Sequence, residues 1–419
     1  MNSRKLTCIT AMIVFVVVAI PLQLTAQHTH YTVTDLGTLG GTFSLAGGIN
    51  NRGDIEGFST LPGDTAVHAF LWQNGTMTDL GTLGGPNSAA SWRLNERGEV
   101  GGGAETSTPD PLGEDFCTFG THLICLPTLW QNGVPTTLPT LGGNNGFATG
   151  VNSRGQVVGE AENSTPDPTC EGSQFFVQHR PVVWEKGRVQ ELPMLIGDSG
   201  GIARTINDRG QIAGDAGNCT TPFHALLWQN GTVTDLGSLG GTVNAVSDMN
   251  NQGQVTGASN LPGDAALDAF LWENGVMTDL GTLPGDVSSL GEGINSKGQV
   301  VGTSIDIDGN ERAIIWENGV MTDLNTLIPA DSPLFLIEAS GTNNSRGQIA
   351  GFALEKSSGE IHAFLLTPSN SEFASDNATI AARGATSPKV ALPANVRKML
   401  REGLAKRYLG GGFGGRSLK

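Results

Sequence analysis

Apolar residues at helical spacing are almost absent from this sequence, and aromatic residues make up only 6% of its 419 positions. Hydrophobic residues reach 38%, whereas glycine occurs 60 times. A chain of this length can still bury a large core. The composition therefore disfavours a helical protein and favours many short strands joined by tight turns.

Basic residues are also scarce. There are 24 lysines and arginines against 40 aspartates and glutamates, which gives a net charge of −16. Nine of the basic residues follow Ser369, so the preceding part of the chain is more acidic still. Such a surface repels a phosphate backbone, which argues against nucleic acid as a partner, and its charge favours solubility.

Only one stretch is apolar enough to enter a bilayer. Arg4 and Lys5 precede the apolar run Ile9–Ile20, and Leu24-Thr25-Ala26 ends on a small residue. This is the layout of a secretory signal peptide over residues 1–26. Leu24 suits a cleavage site poorly, so an uncleaved anchor stays open. We expect an exported protein that is extracellular, on the cell surface or periplasmic.

Cysteine is rare, and Cys8 falls inside the signal segment. The remaining four, Cys117, Cys125, Cys170 and Cys219, form an even set, which suggests two disulfides in an exported chain. Three pairings exist, and we favour Cys117–Cys125 within one loop and Cys170–Cys219 between neighbouring repeats. Free thiols or a metal site are the alternative, but the spacing of a CxxC motif is missing.

A repeated unit organises most of the chain. Tyr31–Gly41 (YTVTDLGTLGG) recurs in part as Met77–Gly85, Val233–Gly241 and Met277–Gly285. An N-x-[RKQ]-G turn glycine marks each of seven repeats: Gly53, Gly98, Gly155, Gly210, Gly253, Gly298 and Gly347. A tryptophan follows in the first six: Trp72, Trp130, Trp184, Trp228, Trp272 and Trp316. Repeats of about 40–50 residues are typical of four-stranded propeller blades.

The two ends of the repeat region complement each other. The N-terminal copy is only the last quarter of a repeat, and the final repeat stops after His362–Leu366 without that quarter. We therefore predict an all-β, seven-bladed β-propeller over residues 27–368, closed by an N-terminal outer strand. Each blade has strands A to D, with A lining the central channel, and hairpin turns rich in Asn and Gly.

The repeats resemble a known family. His68-Ala69-Phe70-Leu71-Trp72 and His362-Ala363-Phe364, together with N-x-[RKQ]-G and TDLGTLGG, resemble the HAF repeat of bacterial extracellular proteins over about Tyr31–Thr367. The resemblance implies export and a repeat fold, and it carries no established activity. Blades 2 and 3 depart from it, with Pro127-Thr128-Leu129 and Arg180-Pro181-Val182 in place of His-Ala-Phe.

Residues that occur in most blades are interpreted as structural. We expect the tryptophans to pack between blades and the turn asparagines to satisfy local backbone donors. The same backbone role is expected for the repeated aspartates Asp35, Asp79, Asp235, Asp279 and Asp323.

Strand A carries the candidate ligand residues. In each blade, the two positions that lie three and two residues before the turn asparagine are expected to line the channel. Most of them hold small residues, and in blade 7 they are Gly341 and Thr342. Five positions break that pattern: Trp92, Arg93, Arg204, Asp248 and Glu292. An aromatic ring beside mixed charges suits a sugar, a peptide or another polar ligand. The structural alternative is that these charges pair with each other or solvate the channel.

Two insertions mark one face of the ring. The turn glycine and the tryptophan are 32 and 29 residues apart in blades 2 and 3, against 18 or 19 in the other blades. The extra residues lie in Thr106–Leu126 and Asn163–His179, between strands B and C. We call the B–C segments of blades 2 to 4 the crown. Loops on a rigid scaffold often bind ligands, and neutral loop growth is the alternative.

The C-terminal tail differs from the ring. Residues 369–393 have the composition of a linker, and residues 394–419 form a basic amphipathic helix and a glycine-rich end. One helical stripe holds Val396, Met399, Leu400, Leu404 and Tyr408. The helix can dock on the acidic ring, contact an anionic membrane or bind a partner. We favour docking, because the opposite charge is tethered nearby.

Taken together, these patterns predict a monomeric, non-enzymatic binding module without cofactor or metal, for a polar extracellular ligand such as a glycan or peptide. Asp306–Asn310 resembles a calcium loop, but Glu311 stands where that loop needs glycine, so a hairpin turn is favoured. No nucleophile motif is present, and no catalytic residue is assigned. The alternatives are an extracellular enzyme degrading polysaccharide or peptide with acids at the channel mouth, and a purely structural surface protein.

Overall fold

A computed structural model describes residues 29–170, 176–342, 346–369 and 390–408. Its strands form seven four-stranded antiparallel sheets, the blades of a propeller. The predicted all-β architecture is thus confirmed. The signal segment and most of the predicted linker lie outside the described residues.

The strands of blades 1 to 6 follow one another along the chain, after the first strand, β1 (His30–Gly37). Blade 1 contains β2 (Ser44–Ile49), β3 (Ile55–Thr60), β4 (Val67–Gln73) and β5 (Thr76–Asp79). Blade 2 contains β6 (Gly84–Leu94), β7 (Val100–Pro109), β8 (Leu123–Gln131) and β9 (Val134–Thr137). Blade 3 contains β10 (Gly142–Val151), β11 (Val157–Pro166), β12 (Val177–Glu185) and β13 (Arg188–Glu191). Blade 4 contains β14 (Gly200–Ile206), β15 (Ile212–Asn218), β16 (Thr221–Gln229) and β17 (Thr232–Asp235).

The second half of the ring repeats this arrangement. Blade 5 contains β18 (Asn244–Met249), β19 (Val255–Asn260), β20 (Leu267–Glu273) and β21 (Val276–Asp279). Blade 6 contains β22 (Asp286–Ile294), β23 (Val300–Asp306), β24 (Glu311–Glu317) and β25 (Val320–Asp323). Blade 7 contains β26 (Leu334–Thr342), β27 (Ile349–Glu355), β28 (Ile361–Ser369) and β1. Short 3₁₀ turns lie at Pro168–Cys170, Pro262–Asp264 and Leu324–Thr326.

Blade 7 is built from both ends of the repeat region. β1 pairs antiparallel with β28, with Val33 opposite Leu366 and Thr34 opposite Leu365. Tyr31 of β1 is buried, and its N–H donates to the carbonyl oxygen of Leu327 at 2.9 Å. The predicted closure by an N-terminal outer strand is therefore confirmed, because the two ends of the repeat region pair in one sheet.

The turn asparagines have the predicted backbone role and a second one that the sequence did not reveal. Asn50 Oδ1 accepts the N–H groups of Arg52 and Asp54 at 2.9 and 3.0 Å. Its Nδ2 donates to the carbonyl oxygen of Asn95 in the next blade at 3.1 Å. The same inter-blade bond repeats from Asn95 to Asn152, Asn152 to Asn207, Asn207 to Asn250 and Asn250 to Asn295. These bonds join neighbouring blades around the channel.

Tryptophans link neighbouring blades, as predicted. Trp130 Nε1 donates to the carbonyl oxygen of Leu80 in blade 1 at 2.9 Å, and Trp184 Nε1 donates to that of Pro139 in blade 2 at 2.7 Å. Both indoles are buried. An indole N–H that finds a carbonyl in this way removes the cost of burying its polar group.

The repeated aspartates also have the predicted backbone role, for Asp79 Oδ1 accepts the N–H of Gly81 at 2.7 Å. In addition, Nδ1 of His68 on strand C lies 2.9 Å from Asp79 on strand D. Equivalent cation–carboxylate pairs occur in other blades: Arg180–Glu191, His224–Asp235, Arg312–Asp323 and His362–Asp35. In blade 5 the cation is replaced by Asp268, so two acids face each other there.

Both favoured disulfides are present, Cys117–Cys125 and Cys170–Cys219. The second joins blade 3 to blade 4 across a sequence separation of 49 residues. The segment Asp306–Asn310 is a hairpin turn, as favoured. Asp306 Oδ1 accepts the N–H groups of Asp308 and Asn310 at 2.9 and 3.0 Å.

Helix α1 (Ala394–Tyr408) packs on the ring, as favoured, at the face that carries the B–C segments. Its contacts are mainly apolar rather than ionic. Val396 and Leu400, with Leu392 just before the helix, lie in one buried cluster with ring residues that include Phe335 and Ile337. Within the described residues, no helix combines the length and the apolar character needed to cross a membrane.

Candidate functional site

The inner strand of each blade is irregular where it lines the channel. In blades 1 and 3 to 7, a residue near the C-terminal end of strand A is skipped in the pairing with strand B: Gly47, Thr149, Arg204, Ser247, Glu292 and Ser340. A bulge of this kind redirects side chains. In blade 7, the prediction that Gly341 and Thr342 occupy the two channel-lining positions of strand A was wrong by one residue. Thr342 pairs with Ile349, so the A–B turn is one residue longer there than between Ile49 and Ile55.

Blade 2 departs further from the regular ladder. Ala90 pairs with Gly102 and Leu94 with Val100, so three residues of β6 face a single residue of β7. Two of those three are Trp92 and Arg93. The additional residue places a large aromatic and a cation on a channel wall that is lined elsewhere by residues such as Gly48, Ser247 and Gly341.

Arg93 of blade 2 forms an ion pair with Asp248 of blade 5. The two blades are three positions apart in a seven-membered ring, so the pair crosses the channel. Asp248 Oδ2 also accepts the N–H of Ile294 at 2.9 Å, and its Oδ1 accepts that of Met249 at 2.5 Å. This carboxylate is therefore anchored by the neighbouring blade and by its own strand.

The charges in the channel are partly withdrawn from water. Burial lowers the pKa of Arg93 to about 10, and the carboxylate of Asp208 offsets part of that lowering. The guanidinium nevertheless keeps its charge at neutral pH. A charge held in a partly desolvated site interacts more strongly with a polar ligand than it would on an open surface.

Four of the five predicted residues, Trp92, Arg93, Asp248 and Glu292, line one cavity of about 170 Å³. The fifth, Arg204, is not in that lining. Its Nε donates to Asp215 Oδ2 at 2.6 Å, and Asp215 Oδ1 accepts the N–H of Val246 at 2.7 Å. Arg204 thus takes part in a buried link between blades 4 and 5.

The cavity opens toward the A–B turns, where its rim is polar. Asn51 Nδ2 donates to Glu96 Oε1 at 2.6 Å, and Ser153 Oγ donates to Asp208 Oδ1 at 2.6 Å. Burial alone would raise the pKa of Asp208, but hydrogen bonds from Ser153 and Asn251 and the charge of Arg154 together outweigh burial and lower that pKa. Asp208 is therefore ionised at neutral pH and gives the rim a negative charge.

A further acid, Glu56 of β3, lies behind the channel wall. Its side chain is buried, and neither carboxylate oxygen has a partner at full hydrogen-bond geometry within the described residues. A Cβ atom at Gly47 would lie 2.7 Å from Glu56 Oε1, so a glycine is needed there to leave room. Burial raises the pKa of Glu56 well above its ordinary value, and the backbone of Gly48 offsets this only in part.

The crown lies on the opposite face from this cavity, because B–C segments and A–B turns occupy opposite ends of a blade. At its base, Asn145 Nδ2 donates to Asp110 Oδ2 at 2.9 Å and to Glu162 Oε1 at 3.2 Å. Glu114 joins the same cluster, and all four side chains are buried. Burial raises the pKa of Glu162 to about 8, with a further contribution from Glu114. Glu162 is therefore mostly protonated at neutral pH.

Sequence reasoning missed this acid cluster, although one signal was present. Asn145 occupies the place that Asn87 holds in blade 2, where Oδ1 accepts the N–H of Val67 and Nδ2 donates to Glu105. Its Oδ1 likewise accepts the N–H of Cys125 at 2.9 Å. In blade 3 the amide nitrogen also donates to Asp110 and Glu114, and so gathers the carboxyl groups of the crown. Within the described ranges, no three His, Cys, Asp or Glu side chains are arranged to hold a metal ion.

No protein-family model and no curated protein matches the chain, so membership of the HAF-repeat family stays a prediction. Solved structures do match. The β-propeller domain of the Trilobed protease from Pyrococcus furiosus is 11% identical, with a TM-score of 0.43 over 67% of this chain and 81% of that one. Oligogalacturonate lyase in complex with manganese is 13% identical, with a TM-score of 0.47 over 81% of this chain and 93% of that one.

A puromycin-hydrolyzing peptidase from Mycobacterium tuberculosis also matches. It is 10% identical, with a TM-score of 0.48 over 80% of this chain and 56% of that one. This chain therefore spans about half the length of that peptidase. These similarities concern the fold alone.

Proposed function

We propose that this protein is an exported, non-enzymatic binding module whose channel cavity takes a polar end group of an extracellular glycan or peptide. One observation carries the proposal. Trp92, the Arg93–Asp248 pair and Glu292 converge on one cavity in the centre of the ring. A concave site that combines an aromatic face with a few convergent polar groups is typical of ligand binding.

The size of the cavity limits the ligand. Its volume of about 170 Å³ is below the roughly 300–1,000 Å³ of most small-molecule sites. It suits one sugar ring or one peptide side chain at the end of a larger ligand. Trp92 offers a flat surface for a sugar ring, and the carboxylates of Glu96 and Asp208 at the rim accept hydrogen bonds from hydroxyl groups.

The contacts of Asp248 favour binding over hydrolysis. An acid that exchanges protons with a substrate needs a free oxygen within reach of that substrate. The oxygens of Asp248 already accept two backbone N–H groups and the guanidinium of Arg93. The proposal of export is supported by the two disulfides, which persist mainly in oxidising compartments.

Glycan and peptide arrays probed with the full chain test this function. We expect a saturable ligand whose affinity falls about tenfold or more in Trp92→Ala. Trp92→Phe keeps an aromatic face and should retain most of the affinity. A crown variant, Phe176→Ser, alters an exposed aromatic on the other face and should bind normally. Loss of binding in Phe176→Ser with normal binding in Trp92→Ala would move the site to the crown and overturn the proposal.

A further inference from the structure

A second and larger cavity lies on the opposite face from the channel cavity, between helix α1 and blades 5 and 6. Its volume is about 450 Å³, within the usual range for small-molecule sites. The lining comes from the B–C segments of both blades, from the start of β22 and from the helix. We call it the helix cleft. It is independent of the channel cavity and of the function proposed for it.

The floor of the helix cleft is apolar. Leu290 and Ile305 are buried in one cluster, with the partly buried Leu267 packed against them. At the rim, Ile307 is 77% exposed, an unusual state for a large aliphatic side chain. A ligand with one apolar group of similar size would cover this surface.

The helix supplies two arginines to one wall. Arg397 and Arg401 are four residues apart, which places them on the same face of α1. Within the described part of the chain, neither forms an ion pair with a carboxylate. Arg397 Nη1 donates only to the carbonyl oxygen of Asp308, at 3.3 Å. Two neighbouring guanidinium groups without an ion-pair partner form a receptor for a carboxylate, which they bind through paired N–H donors.

The ring supplies acids to the lining of the cleft. Asp264 is held by Thr242, whose N–H and hydroxyl donate to it at 2.8 and 2.9 Å, and these bonds lower its pKa. Asp308 is exposed at the tip of the B–C turn of blade 6. The lining of the cleft therefore combines two cations from the helix, carboxyl groups from the ring and an apolar floor. That combination matches a small zwitterion with an aliphatic side chain.

We propose that the helix cleft binds a short peptide of two or three residues with free ends and aliphatic side chains. Arg397 and Arg401 hold the terminal carboxylate, Asp264 and Asp308 attract the terminal ammonium, and an aliphatic side chain rests on the floor. Because the helix forms one wall, the peptide binds only the docked state of α1. Bound peptide therefore stabilises docking by mass action.

Calorimetric titration of the full chain with the dipeptide Leu-Leu tests the proposal. We expect one saturable site and an affinity about tenfold weaker for the C-terminal amide of the same dipeptide. Arg401→Ala should weaken binding of Leu-Leu by a similar factor, whereas Arg401→Lys should weaken it less. Lys398→Ala is the matched control. Lys398 is exposed on the same helix, pairs with Glu402 at 3.8 Å and is not in the cleft lining.

Several results would overturn the proposal. One is the absence of saturable binding to Leu-Leu. A second is equal affinity in the wild type and in the Arg397→Ala/Arg401→Ala double variant. A third is binding of octanoate as tight as that of Leu-Leu, which would identify a fatty-acid site instead. Arg401 has no described protein partner, so Arg401→Ala should leave helix docking intact, and the unfolding midpoint of each variant verifies this.

Discussion

His362 and Asp35 are 327 residues apart in the sequence, and Nδ1 of the histidine lies 2.9 Å from Oδ2 of the aspartate. His362 belongs to β28 and Asp35 to β1, so the pair spans the closure of the ring. The same pair occurs inside blade 1 as His68 and Asp79. The closure therefore uses the same chemistry as an ordinary blade, with its two partners taken from opposite ends of the repeat region.

The stability of the closure should depend on pH. The hydrogen bond to Asp35 raises the pKa of His362 above its ordinary 6.5. The contribution of the pair is thus fully present below about pH 6.5 and is lost as pH rises through the raised pKa. Burial would raise the pKa of Asp35, but the hydrogen bond and charge of His362, together with the N–H of Gly37, outweigh burial and lower that pKa. On the acid side, the contribution is lost as pH falls through that lowered value.

We therefore expect the unfolding midpoint of His362→Gln to change less between pH 6 and pH 8 than that of the wild type. At pH 6 the variant should be less stable by about 1 kcal/mol or less, because both side chains are partly exposed. Thermal unfolding in a series of buffers measures this. Parallel pH curves for the two proteins would show that the pair contributes nothing to closure.

Asp268→His should stabilise the protein. Burial, and after it the charge of the facing Asp279, raises the pKa of Asp268 to about 6. Stability is therefore lost as pH rises from about 3.8 to about 6, and Asp268 is charged at pH 7. A histidine here restores the pair found in blades 1, 4 and 7, with a gain of about 1 kcal/mol.

Denaturant unfolding at pH 7 measures this gain, and Asp268→Asn is the control. The asparagine removes the repulsion but supplies no cation, so its stability should lie between those of the wild type and Asp268→His. Equal stability of the two variants would mean that the histidine–aspartate pair adds nothing beyond relief of repulsion.

Glu162→Gln should remove a pH dependence from the crown. Burial first, and then Glu114, raises the pKa of Glu162 to about 8. The wild type should lose stability as pH rises from about 4.5 to about 8, since the buried Glu162 then loses its proton. The variant keeps a neutral hydrogen-bonding group, so at pH 8.5 it should be more stable by on the order of 1–2 kcal/mol.

The melting temperature measured across this pH range tests the prediction. Glu185→Gln is a suitable control, because Glu185 lies at the exposed end of β12 and should leave the decline unchanged. If the melting temperature of Glu162→Gln fell with rising pH as much as that of the wild type, titration of Glu162 would not be the cause of the fall.

Much of the fold could be predicted from the sequence, because the same turn and strand motifs recur in each blade of a propeller. The turn glycines and tryptophans set the blades, and the unmatched quarter at Tyr31–Gly41 predicted the closing strand. Comparison of the repeats within the chain also distinguished structural residues from candidate ligand-binding residues. Asn50 and Asp79 proved to have the backbone role expected of residues that recur in most blades.

The site was less predictable, because its contacts join residues far apart in the ring. The irregular pairing of β6 positions Arg93 for its ion pair with Asp248. No local sequence pattern predicts that blades 2 and 5 lie across the channel from each other. Counting from a motif also failed in blade 7, where a turn longer by one residue moved the channel position to Ser340.

Helix docking was predicted for a reason that proved incomplete. Opposite charge suggested that the tail would bind the ring, but Val396 and Leu400 bind through apolar contacts to residues such as Phe335. The strand residues that receive the helix come from several separate segments and form one apolar patch only after folding. Sequence patterns within one strand do not reveal such a patch.

The central claim is that the N-terminal strand β1 completes the seventh blade, and an engineered disulfide tests it most directly. Thr32 lies opposite Thr367 in the pairing of β1 with β28. The double variant Thr32→Cys/Thr367→Cys should form this disulfide during mild oxidation of the folded protein, and should then resist unfolding better than its reduced form. The control, Thr32→Cys/Gln229→Cys, uses the equivalent strand end of blade 4 and should form none. A closed propeller predicts this contrast, and failure of the first pair to link, or equal linking in both, would contradict it.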